Sequence, residues 1–431
     1  MRTPRSGFGH RGRPFVDVPS ERRTRRDLLT AGIIAVAVVL FAVVVIVSGS
    51  AARSGLRAAG ADQPVYGPAV EPPTTLQPLW SHDSGGTGAP LTTKGNLVTV
   101  SPDGTLVGRD AGSGEERWAY SHAGRFCAAA FYADALVAAF DGASGCSDVT
   151  ALDPTAQQYK STRQSHFPDT MELRSTWRHA LALSPERLEI WRDDLVRTVE
   201  YGEVDAPQEA GMQPRTGCTL VTAGLTDERF AVTERCPDDD SVRLTLSATV
   251  PKDNRKPEDI ASAPTGADGL WIIEVSDAGV LALEQRGTAW TVEWYTSPTE
   301  HSTIAALGAE PALKPSPDTV TGDTEQARWF DGETTRAFDV STGRLSWKSD
   351  GSTGPGLTGG WSPDPAAETV MNWVLMPVEG GIALLDHDTG RETRRLPSTS
   401  PRTDGVTGLA QIGDILYERG AGTIYAYKLI A

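Results

Sequence analysis

The sequence predicts an all-β chain, a closed ring of four-stranded antiparallel blades preceded by one transmembrane helix, and three observations lead there. The first is a repeat. Ala337-Phe338-Asp339-Val340-Ser341-Thr342-Gly343-Arg344-Leu345-Ser346-Trp347 has a near copy far upstream, Val107-Gly108-Arg109-Asp110-Ala111-Gly112-Ser113-Gly114-Glu115-Glu116-Arg117-Trp118. Both place Gly four residues and Trp eight residues after the Asp. A third copy keeps Asp386 and Gly390 but carries Arg394 at the Trp position. The second observation is spacing: β-rich runs recur about every 43 residues, the length of a four-stranded blade. The third is that long amphipathic helical patterns are missing after the first fifty residues, while Gly (44) and Pro (29) are plentiful.

Each part of the repeat has a physical task. Apolar alternation before the Asp makes a strand, and the Asp side chain folds back on its own backbone to make a turn. The Gly takes positive φ, and the Trp starts the returning strand. The unit is one hairpin used many times, so the chain is a repeat protein and its ordered part a β-propeller.

In chain order, residues 1–27 mix Arg, Gly, Pro and Ser with almost no apolar pattern and read as a basic, disordered cytoplasmic tail. Eight Arg there face three acids, a net +5, whereas residues 28–431 hold 32 basic and 53 acidic residues, a net −21. So acidic a body repels nucleic acid, and that partner class is rejected. Residues 28–48 form the expected transmembrane helix. Leu28 to Val47 is uncharged and about 30 Å long as a helix, matching the bilayer core. The adjacent Arg22, Arg23, Arg25 and Arg26 keep the N-terminus in the cytoplasm, so the expected partner of residues 28–48 is the lipid bilayer. A cleaved export signal is the competing reading, because Thr24-Arg25-Arg26-Asp27-Leu28-Leu29 resembles a twin-arginine motif and Ala58-Ala59-Gly60-Ala61 offers small residues. Residues 49–75, rich in Gly, Ala and Pro, read as a tether.

Residues 76–431 are the extracytoplasmic propeller. Eight units are marked, at Leu97 to Tyr120, Ala135 to Tyr159, Ala180 to Tyr201, Phe230 to Val250, Leu270 to Tyr295, Ala327 to Trp347, Val374 to Leu396 and Ile415 to Lys428. The third to fifth are degenerate: Leu188-Glu189-Ile190-Trp191 and Leu281-Ala282-Leu283-Glu284 keep a strand and lose the Asp and Gly. Eight blades is therefore preferred, with seven as the alternative if two units merge. The last unit lacks a fourth strand, and Leu76-Gln77-Pro78-Leu79-Trp80 carries an orphan Trp upstream of the first. The N-terminal strand, with Trp80, is expected to complete the last blade and close the ring.

The strand, the Asp, the Thr-Gly and the Trp four residues later resemble the repeat of pyrroloquinoline-quinone-type β-propellers. That family includes quinoprotein dehydrogenases and the lipoprotein of the bacterial outer-membrane barrel assembly machine. The resemblance covers about 76 to 431, and it implies that Trp118 and Trp347 dock between blades. It specifies fold more than activity. The quinone enzymes would need adjacent cysteines, a calcium site and a catalytic Asp; no two cysteines here are adjacent, and no Asp carries over. No cofactor, metal site or catalytic residue is assigned. The 33 Arg against 7 Lys, with abundant Ala and Gly, resemble the coding bias of a high-GC actinobacterial genome.

Export makes disulfides the expected state of the four cysteines, and local pairing, Cys127 with Cys146 and Cys218 with Cys236, is preferred among the three pairings. Gly354-Pro355-Gly356-Leu357-Thr358-Gly359 matches a dinucleotide fingerprint in letters only. Gly360-Trp361-Ser362-Pro363 cannot open the helix that motif needs, and the segment reads as an inter-blade loop. Asp238-Asp239-Asp240 reads as a solvated turn before it reads as a calcium site. The leading function is a membrane-anchored scaffold for unknown envelope proteins. The alternatives are a small-ligand module, for instance for saccharides, and a quinone-dependent oxidoreductase.

Overall fold

The structure, a computed structural model, describes residues 24–48, 54–58, 65–69, 71–85, 89–93, 95–132, 134–153, 158–204, 211–361, 371–398, 406–420 and 422–431. Two compact units divide the chain, residues 1–52 and 53–431. The first holds one helix, α1 (Arg25–Ser48), apolar and long enough to cross a membrane or to serve as a signal sequence. Thr24 and Asp27 cap it reciprocally. The Thr24 amide donates to Asp27 Oδ2 (2.8 Å) and the Asp27 amide to Thr24 Oγ1 (3.3 Å). The helix thus starts inside the segment expected to be tail, at Arg25. The rest of that tail, residues 1–23, lies outside the described residues.

The second unit is a β-propeller of eight blades, which decides between the eight and seven the sequence left open. Blades 1 to 7 occupy residues 91–121, 126–164, 172–202, 219–267, 269–307, 320–350 and 357–397, and each contains one of the eight marked units. Blade 8 takes three strands from 408–430 and its outermost from Thr75–Asp83. Apart from the outer strands that the N-terminal segment lends to blades 8 and 1, the chain runs within each blade from the innermost strand outward, antiparallel throughout. Connections between first and second and between third and fourth strands therefore share one face of the ring. The remaining connections share the other. The Asp turns lie on the first, here the turn face; both disulfides lie on the second, the disulfide face.

There is no single core. Eight apolar clusters of described residues each lie between two neighbouring blades. The layer between blades 3 and 4 shows why the degenerate units still fold. Leu188, Ile190 and Tyr201 keep the period-2 alternation and pack on Phe230 and Val232, with no Asp or Gly required. Inner strands touch around the ring, and where blade 6 has an inner strand of only three residues, Gly269–Val275 of blade 5 reaches its second strand instead.

Two expectations are corrected. Part of the tether is structured: Gly55–Ala58 adds a fifth strand to the outer edge of blade 1, pairing Leu56 with Tyr120 and Ala58 with Trp118. Four residues with a single apolar member, Leu56, carry no strand signal of their own; the unpaired edge of Glu116–Ser121 supplies the template. Second, Leu357–Trp361, expected as loop, is the inner strand of blade 7. The glycines there are required by packing, since a Cβ on Gly359 would fall 2.7 Å from Trp373 Nε1 and 2.9 Å from Leu375 Cδ1.

Closure rests on register. Thr75–Asp83 pairs along Thr423–Ile430, from Thr75 with Ile430 to Asp83 with Thr423. A shift between Pro78 and Trp80 turns the strand, so that Leu76 joins the layer between blades 7 and 8 and Trp80 the layer between blades 8 and 1. Pro78 is accommodated because an outermost strand can spare an N–H. A chain beginning at Ser84 should therefore unfold at markedly lower denaturant than one beginning at Glu71. Trp80→Ala in the longer chain should cost about 2 kcal/mol, less than a fully buried Trp, because its ring is only part-buried. Unchanged midpoints in both would mean that this strand does not hold the ring shut.

Candidate functional site

Three copies of one turn mark the turn face. In each, the Asp amide donates to the carbonyl five residues on (Glu115, Arg344, Arg391), and the Gly amide four residues on donates to the Asp carbonyl. The carboxylate caps the turn from within. Asp110 Oδ1 accepts from the Gly112 and Ser113 amides (3.1 and 2.9 Å), Asp339 Oδ1 from the Ser341 and Thr342 amides (2.9 and 2.8 Å), and Asp386 Oδ1 from the Thr389 amide (2.9 Å). Gly114, Gly343 and Gly390 sit at φ 73°, 68° and 64°, the left-handed region that favours Gly.

Those glycines have a second duty: they are seats for tryptophans of the preceding blade. A Cβ on Gly114 would lie 2.7 Å from the Trp80 ring, on Gly390 2.5 Å from Trp347, and on Gly343 2.3 Å from Trp294. The indole N–H then binds the backbone next to the turn Asp. Trp80 Nε1 donates to the Ala111 carbonyl (3.1 Å), shared with the Tyr417 hydroxyl (3.0 Å), and Trp347 Nε1 donates to the His387 carbonyl (2.8 Å), shared with Gln326 Nε2 (2.9 Å). Trp118 is buried against Leu136, Phe140 and Leu152 of blade 2, over Gly108 of its own hairpin. Trp294 was missed by the repeat pattern because it stands on the third strand of a degenerate unit. Its Trp-Tyr pair in an otherwise alternating strand is the only local trace.

The disulfide face is fastened at blades 2 and 4 by Cys127–Cys146 and Cys218–Cys236, the local pairing. Loops of 19 and 18 residues contribute roughly 3 kcal/mol each by chain entropy. Neither pair joins adjacent residues. Among the acids of the blade 4 loop, Asp239 is committed to Arg243 through two bonds of 2.7 Å, which leaves it no cation-binding role.

A cleft of about 260 Å³ opens in the central channel, lined by the inner strands of blades 3 to 6. Leu173, Leu225, Ile273 and Val275 supply an apolar wall, and Arg174 and Glu274 supply opposite charges. Arg174 Nε binds Glu172 at 2.7 Å, and Glu274 Oε1 accepts from the Val275 amide at 3.0 Å. Burial pushes the Glu274 carboxyl above its usual range, and the Val275 amide and Arg174 offset this only in part. With its apolar wall and one charge of each sign, the cleft offers a seat for an apolar or amphiphilic group, and no histidine or cysteine is among its lining residues.

Two residues beyond the lining residue Ser175, in the turn that follows the inner strand of blade 3, Trp177 is 65% exposed. Its turn is held rigidly. Thr176 Oγ1 accepts from the Arg178 and His179 amides (3.2 and 3.1 Å) and donates to Asp227, the next blade's turn. Thr226 repeats the bond to Asp277 (3.0 Å). The position occupied by Asp227 and Asp277 in blades 4 and 5 is Trp177 in blade 3. An aromatic residue thus replaces a cross-linking acid and stands largely in water.

A family model described as outer membrane protein assembly factor BamB matches residues 69–229. No curated protein matches the sequence. Among solved structures, a quinohemoprotein alcohol dehydrogenase from Pseudomonas putida HK5 is similar at 11% identity, covering 84% of this chain and 78% of that one with a TM-score of 0.50. BamB from Moraxella catarrhalis is similar at 15% identity over 82% of this chain and all of its own, with a TM-score of 0.45. The dehydrogenase likeness bears on fold alone. The chain is a β-propeller with an N-terminal apolar helix, and its residues 69–229 are similar to that PQQ-like repeat family.

The charge in the cleft yields a pH test. Because the folded protein raises the Glu274 pKa, ionising it costs folding free energy. The cost is absent below the unfolded value, about 4.3, grows as pH rises toward the folded value, and is constant above it. Glu274→Gln should therefore be more stable than the native chain in denaturant melts at about pH 7.5 and indistinguishable at about pH 4. A native chain that is the more stable one at the higher pH would show that Arg174 outweighs burial.

Proposed function

We propose that this protein is an envelope protein-interaction scaffold, held by α1 as a retained membrane span with its N-terminus in the cytoplasm, and that the turn face around the channel mouth receives the partner. The carrying observation is Trp177, a large ring kept in water on a turn whose backbone is already locked. Rigid exposed aromatics are the anchors of protein interfaces, since their burial gains much and costs little ordering. The matching family model, described as that of an assembly factor, supports a protein as the partner. The partner's chemistry follows from the rim: Glu228, Asp277, Glu325 and Asp388 are exposed on the same face, so the fitting segment is basic with an apolar or aromatic tip.

The cleft is small against the roughly 300–1,000 Å³ of small-molecule sites, which favours a side chain over a free ligand as its occupant. No observation favours a redox reaction.

Trp177→Ala should leave the denaturation midpoint unchanged and weaken partner crosslinking from a photoreactive residue at position 228 by about tenfold or more. Crosslinks unaffected by the substitution, or mapped to the disulfide face, would overturn the assignment. Topology is tested separately. A protease or thiol probe on intact cells should reach the propeller and spare residues 1–23, because the Arg cluster is costly to move through lipid. Protection of the propeller would reverse the orientation.

A further inference from the structure

The joint between blades 6 and 7 sets a buried histidine, which neither the scaffold role nor the repeat requires, beside two carboxylates of the acidic rim, Glu325 and Asp388. His387 follows the turn Asp386, is 7% exposed, and lies beneath three carboxylates, Asp323, Glu325 and Asp388. We propose that Glu325, His387 and Asp388 bind one divalent transition cation of the Zn²⁺ type on the turn face.

The argument starts from the ring's far side. His387 Nε2 faces Asp323 Oδ2 at 3.2 Å. That carboxylate is immobilised: its Oδ1 accepts the Glu325 and Gln326 amides, both at 2.9 Å, and its Oδ2 accepts Arg328 NH1 at 3.0 Å and the Thr358 hydroxyl. Asp323 therefore accepts a hydrogen bond from Nε2–H and fixes both ring orientation and tautomer. A carboxylate behind a histidine does the same in zinc sites generally.

The other nitrogen, Nδ1, then points at Asp388 Oδ1 (2.9 Å) and Glu325 Oε2 (3.9 Å). In the neutral tautomer this places a lone pair between two anionic oxygens, an arrangement that calls for a cation. Each of the three side chains offers one ligand atom, and all three atoms lie within 4.8 Å of one another. Ligands bound at 2.0 to 2.2 Å in a tetrahedron sit about 3.3 Å apart, between the two distances found. Little movement is needed, because Glu325 and Asp388 side chains are 73% and 84% exposed and free to swing, while the imidazole is held. One imidazole with two carboxylates suits Zn²⁺ over Mg²⁺ or Ca²⁺, which take oxygen alone. A fourth position faces the adjoining surface cleft lined by Asp339 and Ser341, and stays open to water or a partner's donor. Because Glu325 belongs to blade 6 and His387 and Asp388 to blade 7, the ion would bridge two blades.

The test uses the full-length, disulfide-intact chain in detergent, titrated calorimetrically with ZnCl₂ and monitored for Co²⁺ ligand-field absorbance. One Zn²⁺ should bind, excess Mg²⁺ should leave that affinity unchanged, and Glu325→Gln or Asp388→Asn should each weaken it by at least about tenfold. Both are exposed, so neither should shift the melting temperature of the metal-free protein. The double variant should lose the heat and the Co²⁺ bands together. No binding by the native chain, or the same binding in the double variant, would overturn the proposal.

Discussion

Ring closure is the constraint on which this structure depends. A propeller with a three-stranded last blade would expose a sheet edge and leave Tyr417, Ile424 and Ala426 facing blade 1 without the strand that backs them. Thr75–Asp83 removes that edge by pairing along Thr423–Ile430. Its bulge lets a single strand contribute to two inter-blade layers at once. Closure also makes stability collective. Since each apolar layer belongs to two blades, no blade holds a complete core, and loss of one joint is felt by both neighbours.

The polar layer of the joints is arranged so that few charges are left to bear their own desolvation. Glu189, fully buried, receives Arg187 (2.6 Å), Arg163 (3.1 Å), the Trp191 indole (2.7 Å) and the Ser165 hydroxyl (2.8 Å). Burial by itself would raise the Glu189 pKa, but the two guanidinium groups and the indole outweigh it and hold the carboxylate ionised. Glu234 draws the Tyr201 hydroxyl from blade 3 across the joint, together with Arg215 at 2.9 Å. Such clusters add little net stability compared with apolar residues of equal size. Removing one member would nonetheless be costly, because the rest would be left buried and unpaired. They fix which blade meets which.

How much of this can be read in the sequence depends on how local each feature is. The turns at Asp110, Asp339 and Asp386 are written in five consecutive residues, because an Asp side chain and a positive-φ Gly act within the turn itself. Disulfide partners sit in one blade and are nearly as local. The strand at Gly55–Ala58 is not legible, since its four residues pair only because an edge is offered. The seat of Trp294 on Gly343 and the meeting of Arg174 with Glu274 are equally hidden. They join positions 49 and 100 residues apart, whose proximity only the closed ring creates. Gly354 to Gly359 misleads for the opposite reason: Gly359 inside the strand, demanded by Trp373, and Gly356 just before it, demanded by Met376, look like loop residues when the neighbours are unknown.

The ring also divides its turn face unequally. Val65 to Ala69 crosses it between blades 8 and 1, where the Tyr66 hydroxyl donates to Asp110 Oδ1 (2.8 Å) and accepts the Gly112 amide (3.0 Å). The ring also packs over Gly112, so a Cβ there would fall 2.8 Å from the hydroxyl oxygen. The chain leading into Thr75 thus occupies one side of the face. The opposite side, blades 3 to 6, carries Trp177, the channel cleft and the acidic turns, and the His387 cluster lies at its border with blade 7. In a ring of eight, blades 4 and 5 stand across from blades 8 and 1. Among the described residues of the leading segment, Val65 to Ala69 is tied at Tyr66 to blade 1, across the ring from the blades that carry Trp177 and the channel cleft.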